Sequence, residues 1–257
     1  SEPISVMGLM MKMREQSEKN NARILTETVE KVDLSNIPFQ VFSSSGTYET
    51  KTLIIATGAI AKKLDVPGAK KYWQRGVSAC AICDGGLPVF RDKHLVVIGG
   101  GDTALEEAFY LTTFASKITL LVRRNVLRAS KTMQEKILAN KKIKIYWQTE
   151  LEEIIGDGKI VTHLKIRNNQ TQKIEEIPVG GLFYAIGHKP NTDFLNGQLD
   201  LDADGYIVTK QNSACTNIPG VFAAGDVQDK VYRQAIVAAG SGCMAALEAD
   251  RFITGCL

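Results

Sequence analysis

Cys80 and Cys83, three positions apart and followed directly by Asp84, are the residues of this 257-residue chain best suited to do chemistry. A C-x-x-C pair can close a reducible disulfide or supply half of a zinc site. Zinc would want a second pair at similar spacing. Cys215, Cys243 and Cys256 are instead scattered singly, and His94, His163 and His188 stand alone in the sequence. Two buried thiols with no chemistry are a third reading. Redox chemistry is favoured and no metal site is expected. Asp84 is placed to pass a proton to a leaving thiolate, although Asp-Gly is equally an ordinary turn.

Further along, Gly99-Gly100-Gly101-Asp102-Thr103-Ala104 matches G-x-G-x-x-A, directly after an expected strand and at the head of an expected helix. Gly99 permits the tight turn, and Gly101 lets the backbone approach a pyrophosphate held at the helix N-terminus. Ala104 keeps helix and strand close. The motif alone is weak evidence, and its strand–turn–helix context strengthens it. At the end of the next strand, an NAD site would usually carry an Asp or Glu for the ribose 2′-hydroxyl. Val122-Arg123-Arg124 stands there, with Arg128 shortly after. Cations at that point suit a 2′-phosphate and hence NADP; the plain alternative is a solvated basic surface. A nicotinamide delivers hydride and a disulfide accepts electrons through sulfur. A flavin commonly joins the two, so FAD is expected wherever a site for it exists.

These residues need a scaffold, and the hydrophobic pattern supplies one. From residue 94 the order is strand (95–98), helix (102–114), strand (117–122), helix (130–140, capped by Ser130) and strand (143–147). Ala104, Ala108, Leu111 and Ala115 share one helical face. A βαβαβ order implies a parallel sheet with right-handed crossovers. Before it come a helix over residues 8–19, short strands near 38–42 and 53–56, and a Ser43-Ser44-Ser45-Gly46 turn. After it comes a β-rich stretch with hairpin turns at Gly156-Asp157-Gly158 and Asn168-Asn169, closing with a strand at 182–186. A strand at 220–224 and a helix over 233–253 end the chain. Thr57-Gly58 and Pro67-Gly68 punctuate the chain around a boundary near residues 59–62, and Gly187-His188-Lys189-Pro190 reads as a second.

Composition narrows the function classes. Hydrophobic residues at 44% and charged residues at 23% exclude disorder and collagen. A net charge of +3 is too mild to argue for nucleic acid, and the arginines already have a use in a 2′-phosphate. No apolar run approaches the ~18 residues of a membrane helix, so no membrane partner is expected. Five cysteines, odd in number and sparse, are no disulfide scaffold and suit a reducing compartment. The expected location is cytoplasmic, with organellar targeting left open because the chain starts at Ser1 rather than Met.

In combination the motifs resemble the low-molecular-weight thioredoxin reductases of bacteria, fungi and plants. The matching strings are Ile54-Ile55-Ala56-Thr57-Gly58-Ala59, residues 75–85 (Arg75-Gly76-Val77-Ser78-Ala79-Cys80 onward), residues 99–107, Arg123-Arg124 with Arg128, Phe222-Ala223-Ala224-Gly225-Asp226-Val227, and Tyr232-Arg233-Gln234-Ala235. The resemblance implies an α/β, two-domain flavin disulfide reductase fold. In it a Rossmann-like FAD domain (residues 1–59 and 188–257) is interrupted by a Rossmann-like NADPH domain (60–187) that carries the cysteine pair. It implies that Val32, Thr57, Gly58, Cys83, Gly225, Asp226, Arg233, Gln234 and Ala235 contact FAD. NADPH would be held by Gly99, Gly101, Asp102, Thr103, Ala104, Arg123, Arg124, Arg128 and Gly187. Asp226 matches the ribityl contact, Val32 an adenine-side backbone contact, and residues 233–235 a helix N-terminus at the flavin ring, where negative charge on reduced flavin is stabilised. It implies catalysis by Cys83 facing the flavin, Cys80 attacking the thioredoxin disulfide, and Asp84 as acid/base. It also implies a homodimer, and rotation of the inserted domain on two connecting strands, with hinges near Ala59 and Gly187.

Three departures accompany the resemblance. The family's first nucleotide-binding unit, whose glycine turn holds the FAD pyrophosphate, has no counterpart before residue 8, a difference of roughly 60 residues, about a βαβ unit and its onward connection. A fragment of a full enzyme is the expected explanation, over a genuinely short form. The strand at 53–56 would then lack neighbours and leave an exposed edge. Val122 stands where members often have His, and Gly86-Leu87-Pro88 where bacterial members carry aromatics that contact thioredoxin. The competing functions are a related flavoprotein with another acceptor, a flavin-free NADPH-binding fragment without activity, and a zinc module.

Overall fold

The computed structural model describes residues 5–256. The chain divides into two units, one made of the residues up to Gly58 together with those from Pro190 onward, the other of Ala59–Lys189.

Along the chain, α1 (Val6–Lys19) is followed by β1 (Val29–Asp33), β2 (Phe39–Ser43), β3 (Gly46–Thr50), β4 (Leu53–Ile55) and β5 (Ala59–Ala61). Then come α2 (Ala69–Tyr72), β6 (Val77–Ser78), α3 (Ala81–Asp84), β7 (His94–Ile98), α4 (Asp102–Leu111), β8 (Lys117–Val122), α5 (Lys131–Ala139) and β9 (Ile143–Trp147). The hairpin stretch is β10 (Thr149–Gly156), β11 (Val161–Asn168) and β12 (Ile174–Pro178), and β13 (Gly181–Tyr184) and β14 (His188–Pro190) follow it. β15 (Val221–Ala223) and α6 (Ala235–Thr254) end the chain.

The inserted unit is built on a parallel sheet in the order β6-β13-β7-β8-β9. Its inner strands β13, β7 and β8 are largely apolar on both faces because both faces are covered. Leu95 and Val97 of β7 face one core with Ala104, Ala108, Leu111 and Ala115. Val96 and Ile98 face a second core shared with Leu151, Ile154 and Leu164 of the antiparallel β10-β11-β12 sheet. Each such fully buried Leu or Val contributes about 1.5–3 kcal/mol relative to exposure. The helix expected over 102–114 stops at Leu111. The Thr112 hydroxyl donates to the Phe109 carbonyl at 2.6 Å, a local bond that competes with the helical ladder. Ser130 is the N-cap residue of α5, as expected, although its side chain makes no capping bond.

In the other unit, β1-β2-β3 form an antiparallel sheet in which Ser43 pairs with Gly46 across the expected turn. β4 pairs in parallel with β15 in a two-stranded sheet, and Ile54 is 38% exposed. Ala245 and Ala249 of α6 pack on Phe222 of β15 and on Ala224. α1 begins where the Ser5 hydroxyl accepts the Gly8 N–H at 3.1 Å. Its apolar Leu9, Met10 and Met13 are exposed among the described residues. Among those residues no helix is long and apolar enough to cross a membrane.

Candidate functional site: a redox disulfide and two helix N-termini

Cys80 ends an extended segment (φ −142°, ψ 96°) and N-caps α3, so the two sulfurs fall on one helical turn. They form a disulfide of 2.05 Å with the Cα atoms 5.3 Å apart. Cys83 is exposed and Cys80 half-buried. The Cys83 N–H donates to Sγ of Cys80 at 3.2 Å. A backbone donor aimed at that sulfur stabilises it once it carries a thiolate charge. Asp84 closes the turn, its N–H donating to the Cys80 carbonyl at 3.1 Å. Its Oδ2 accepts from the hydroxyl of Ser78 at 2.6 Å. Ser78 in turn accepts the Cys80 N–H at 3.1 Å. Ser78 is a residue of this site that the sequence reading quoted only as part of a string. Its role depends on a tertiary bond that no spacing rule reports.

The glycine turn lies in the same unit. Gly99 has φ +150°, and a Cβ there would stand 2.5 Å from the Ala185 carbonyl oxygen and 2.6 Å from the Ala104 Cβ. Only glycine fits that approach. Gly101 N-caps α4 with no side chain and has nothing within 4 Å of the place a Cβ would take. The N-terminus of α4 is therefore open for a ligand, and its dipole favours an anion. Asp102 is already engaged, its Oδ1 accepting the Ser130 N–H at 2.8 Å. Thr103 is exposed, and Ala104 is buried under Gly99. Arg123, Arg124 and Arg128 are exposed on the loop after β8, and none has a carboxylate within ion-pair distance among the described residues. The Arg128 N–H donates to the Gly100 carbonyl at 2.7 Å, which holds this basic loop against the glycine turn.

The other unit carries a second helix N-terminus. Gln234 N-caps α6 without a side-chain capping bond, and no acidic residue lies in the first turn. Gly225 (φ +73°) donates its N–H to Oγ of Ser241 at 2.9 Å, which ties the Gly225-Asp226 turn to α6. Burial pushes the Asp226 carboxyl above the usual range, helped by the charge of Asp229 and opposed by Arg233. Arg233 itself is left-handed (φ +48°), a sparsely populated region for a residue with a side chain. Oδ2 of Asp229 accepts its N–H at 3.2 Å and helps hold it there. Thr57 and Asn191 are joined twice, the Thr57 hydroxyl donating to the Asn191 carbonyl and Asn191 Nδ2 to the Thr57 carbonyl, each at 2.8 Å. The Gly58 carbonyl accepts the Asn191 N–H at 2.9 Å. Val32 lies 1% exposed in the core, and its carbonyl accepts from Gln198 Nε2 at 2.7 Å. Gly187, in the inserted unit, accepts the Lys62 N–H at 2.9 Å. Like Gly58 it has positive φ and open space at its Cβ position.

A family model described as pyridine nucleotide-disulphide oxidoreductase matches residues 2–242. The chain is 56% identical to the thioredoxin reductase of Dictyostelium discoideum, over 98% of this chain and 80% of that one. It is 52% identical to thioredoxin reductase 1 of Saccharomyces cerevisiae, over 96% and 78% of the two chains. Among solved structures, the thioredoxin reductase from Giardia duodenalis superposes with a TM-score of 0.90 at 45% identity, covering 98% of this chain and 82% of that one. The thioredoxin reductase from Streptococcus pyogenes gives 0.89 at 40% identity, covering 98% and 81%.

Proposed function

We propose a function for a chain that belongs to the pyridine nucleotide-disulphide oxidoreductase family and, within it, to the thioredoxin reductases. It is an oxidoreductase of the two-domain flavin disulfide reductase fold that uses a flavin and a pyridine nucleotide. The narrower reading is that the nucleotide is NADPH, the flavin FAD, and the route to thioredoxin the Cys80–Cys83 pair. The observation that carries it is that pair: a closed disulfide with one exposed cysteine, in the same unit as an open glycine turn and three arginines without a carboxylate partner among the described residues.

The residues fit both groups. An uncapped α4 with open space at Gly101 suits a diphosphate, and Arg123, Arg124 and Arg128 suit a 2′-phosphate. Gly99, Asp102, Thr103, Ala104 and Gly187 complete that set. The uncapped N-terminus of α6, with Arg233, Gln234 and Ala235, suits an electron-rich ring. Asp226, Gly225, Gly58, Thr57 and the Val32 backbone complete the flavin set, and Cys83 is its electron acceptor. When bound, the nicotinamide supplies hydride and the flavin relays its two electrons to sulfur.

The chain's own residues do the rest. As the Cys80–Cys83 bond breaks, two electrons reach the sulfurs and Asp84 gives a proton to one of them. The Cys80 thiolate then attacks a thioredoxin disulfide, forming a mixed disulfide. Cys83 resolves that intermediate, releasing reduced thioredoxin and closing the pair again. The reading extends to a cytoplasmic homodimer, supported by the family resemblance and the sparse cysteines.

The test is the visible absorption spectrum of the purified full-length protein before and after NADPH. A flavin band that bleaches with NADPH, and loss of thioredoxin reduction in Cys80→Ser, are the expected results. A colourless protein would leave only a nucleotide-binding role and sink the reading.

A further inference from the structure

We propose that Ser78 is a positioning residue for thiol–disulfide chemistry: its hydroxyl holds the Asp84 carboxyl so that the other carboxyl oxygen exchanges a proton with the cysteine pair. The inference rests on the reading of Asp84 as the proton carrier. Ser78 is the last residue of β6 and is 5% exposed. A serine hydroxyl has one proton to give. The Cys80 N–H already points at Oγ, at 3.1 Å, which turns the hydroxyl proton away from that amide. It goes to Oδ2 of Asp84 at 2.6 Å, a short bond. The Asp84 N–H donates to the Cys80 carbonyl at 3.1 Å and closes a three-residue ring of bonds. Oδ1 of Asp84 makes no hydrogen bond among the described residues.

The ring matters because proton transfer is limited by geometry before it is limited by acidity. An aspartate on a half-exposed turn rotates about two bonds, and water competes for both oxygens. With Oδ2 anchored to a buried hydroxyl on the sheet, rotation of the carboxyl is confined on a turn that directly follows Cys83. During reduction the S–S bond breaks, the two electrons end on sulfur, and the proton on Oδ1 moves to one thiolate. In the oxidative direction the same oxygen takes the proton back. Ser78 exchanges no proton with sulfur and acts only through Asp84. The helix packed against this turn, α4, carries Glu106 and Glu107, and Arg91 Nε donates to the nearby Gly86 carbonyl at 3.1 Å. All three are common to every variant below, so their charges cancel in the comparison.

The experiment compares Ser78→Ala, Asp84→Asn and the double variant with wild type. One readout is thioredoxin turnover by the holoenzyme. A second needs no flavin: the rate of iodoacetamide alkylation of the pair against pH, after reduction with dithiothreitol. S78A is expected to lower kcat about 10-fold with KM unchanged, a fraction of the ~10²–10⁴ that general acid–base catalysis supplies. A carboxylate beside a thiol disfavours the thiolate. The alkylation inflection therefore moves to lower pH in D84N and part of the way in S78A. The double variant should match D84N in both readouts. Ser78→Thr and Ser78→Val, equal in shape and differing in the hydroxyl, serve if alanine disturbs folding; only threonine should keep the wild-type profile. An S78A loss of the same size in the D84N background, an unmoved alkylation profile, or equal profiles for threonine and valine overturns the role of Ser78. A fully active D84N overturns the acid/base reading itself and this inference with it. That failure is told apart because it shows in D84N alone.

Discussion

Asp102 and Ser130 are joined across 28 residues of sequence by a 2.8 Å bond from the Ser130 N–H to the Asp102 carboxylate. With the 2.7 Å bond from the Arg128 N–H to the Gly100 carbonyl, it clasps the basic loop to the glycine turn. The N–H of Ser130, with its hydroxyl adding to the effect, holds the Asp102 carboxyl below the usual range. A depressed acid contributes stability above its unfolded value of about 4, lost as pH falls through the folded value.

Asp102→Ala therefore opens the clasp. The KM for NADPH should rise about 5-fold with kcat little changed, as one charge-assisted bond at an exposed position is lost. Steady-state kinetics at varied NADPH check this, and an unchanged KM would mean that the Arg128 bond alone holds the loop.

Arg123 and Arg124 stand at the end of β8 with no carboxylate partner within ion-pair distance among the described residues. Arg124→Ala should raise the KM for NADPH roughly 10-fold, the scale of one charge-assisted phosphate contact, and leave the KM for NADH nearly unchanged. Equal losses with both nucleotides would assign the arginine to the shared diphosphate instead.

Asp226 behaves in the opposite sense to Asp102. Burial, then the Asp229 charge, raise its folded value while Arg233 opposes. The folded state then holds a proton more readily than the unfolded one. Its contribution favours folding below the unfolded value of about 4 and is lost as pH rises through the higher folded value. Asp226→Asn should raise Tm at pH 7 by roughly 2 °C and bring no gain near pH 3.5. Flavin content should fall in the same protein, a trade between stability and function. Scanning calorimetry at the two pH values and the flavin absorbance of the purified variant decide it. A Tm that drops at pH 7 would show that the carboxylate has a stabilising partner.

Tyr184 is 2% exposed at the end of β13, and its hydroxyl has no hydrogen-bond partner among the described residues. Burial pushes its phenol up to about 12, so it stays neutral. Tyr184→Phe removes a desolvated hydroxyl and should stabilise the protein by about 1 kcal/mol. Urea denaturation measures this, and a loss of stability would reveal a buried water on the hydroxyl.

The chemistry of this chain was largely written in short strings. The cysteine pair, the glycine turn and the arginines after β8 each sit within a few residues of one strand–turn–helix junction. Their types and spacing alone therefore carried the expectation of what they bind or exchange. The same locality made β7, α4, β8, α5 and β9 readable, because the buried runs of β7 and β8 and the one buried face of α4 repeat at strand and helix spacing.

What the tertiary structure decided is everything that depends on partners distant in the chain. Thr57 meets Asn191 134 residues away, and the Gln198 side chain reaches the Val32 carbonyl across 166 residues. Asp102, expected at the nucleotide, also accepts the Ser130 N–H through its carboxylate from 28 residues away. Ser78 lies only six residues from Asp84, yet its bond exists because β6 and α3 meet at that angle. Hydrogen bonds between side chains depend on direction as well as separation. Sequence spacing carries separation along the chain, and only the folded backbone supplies direction.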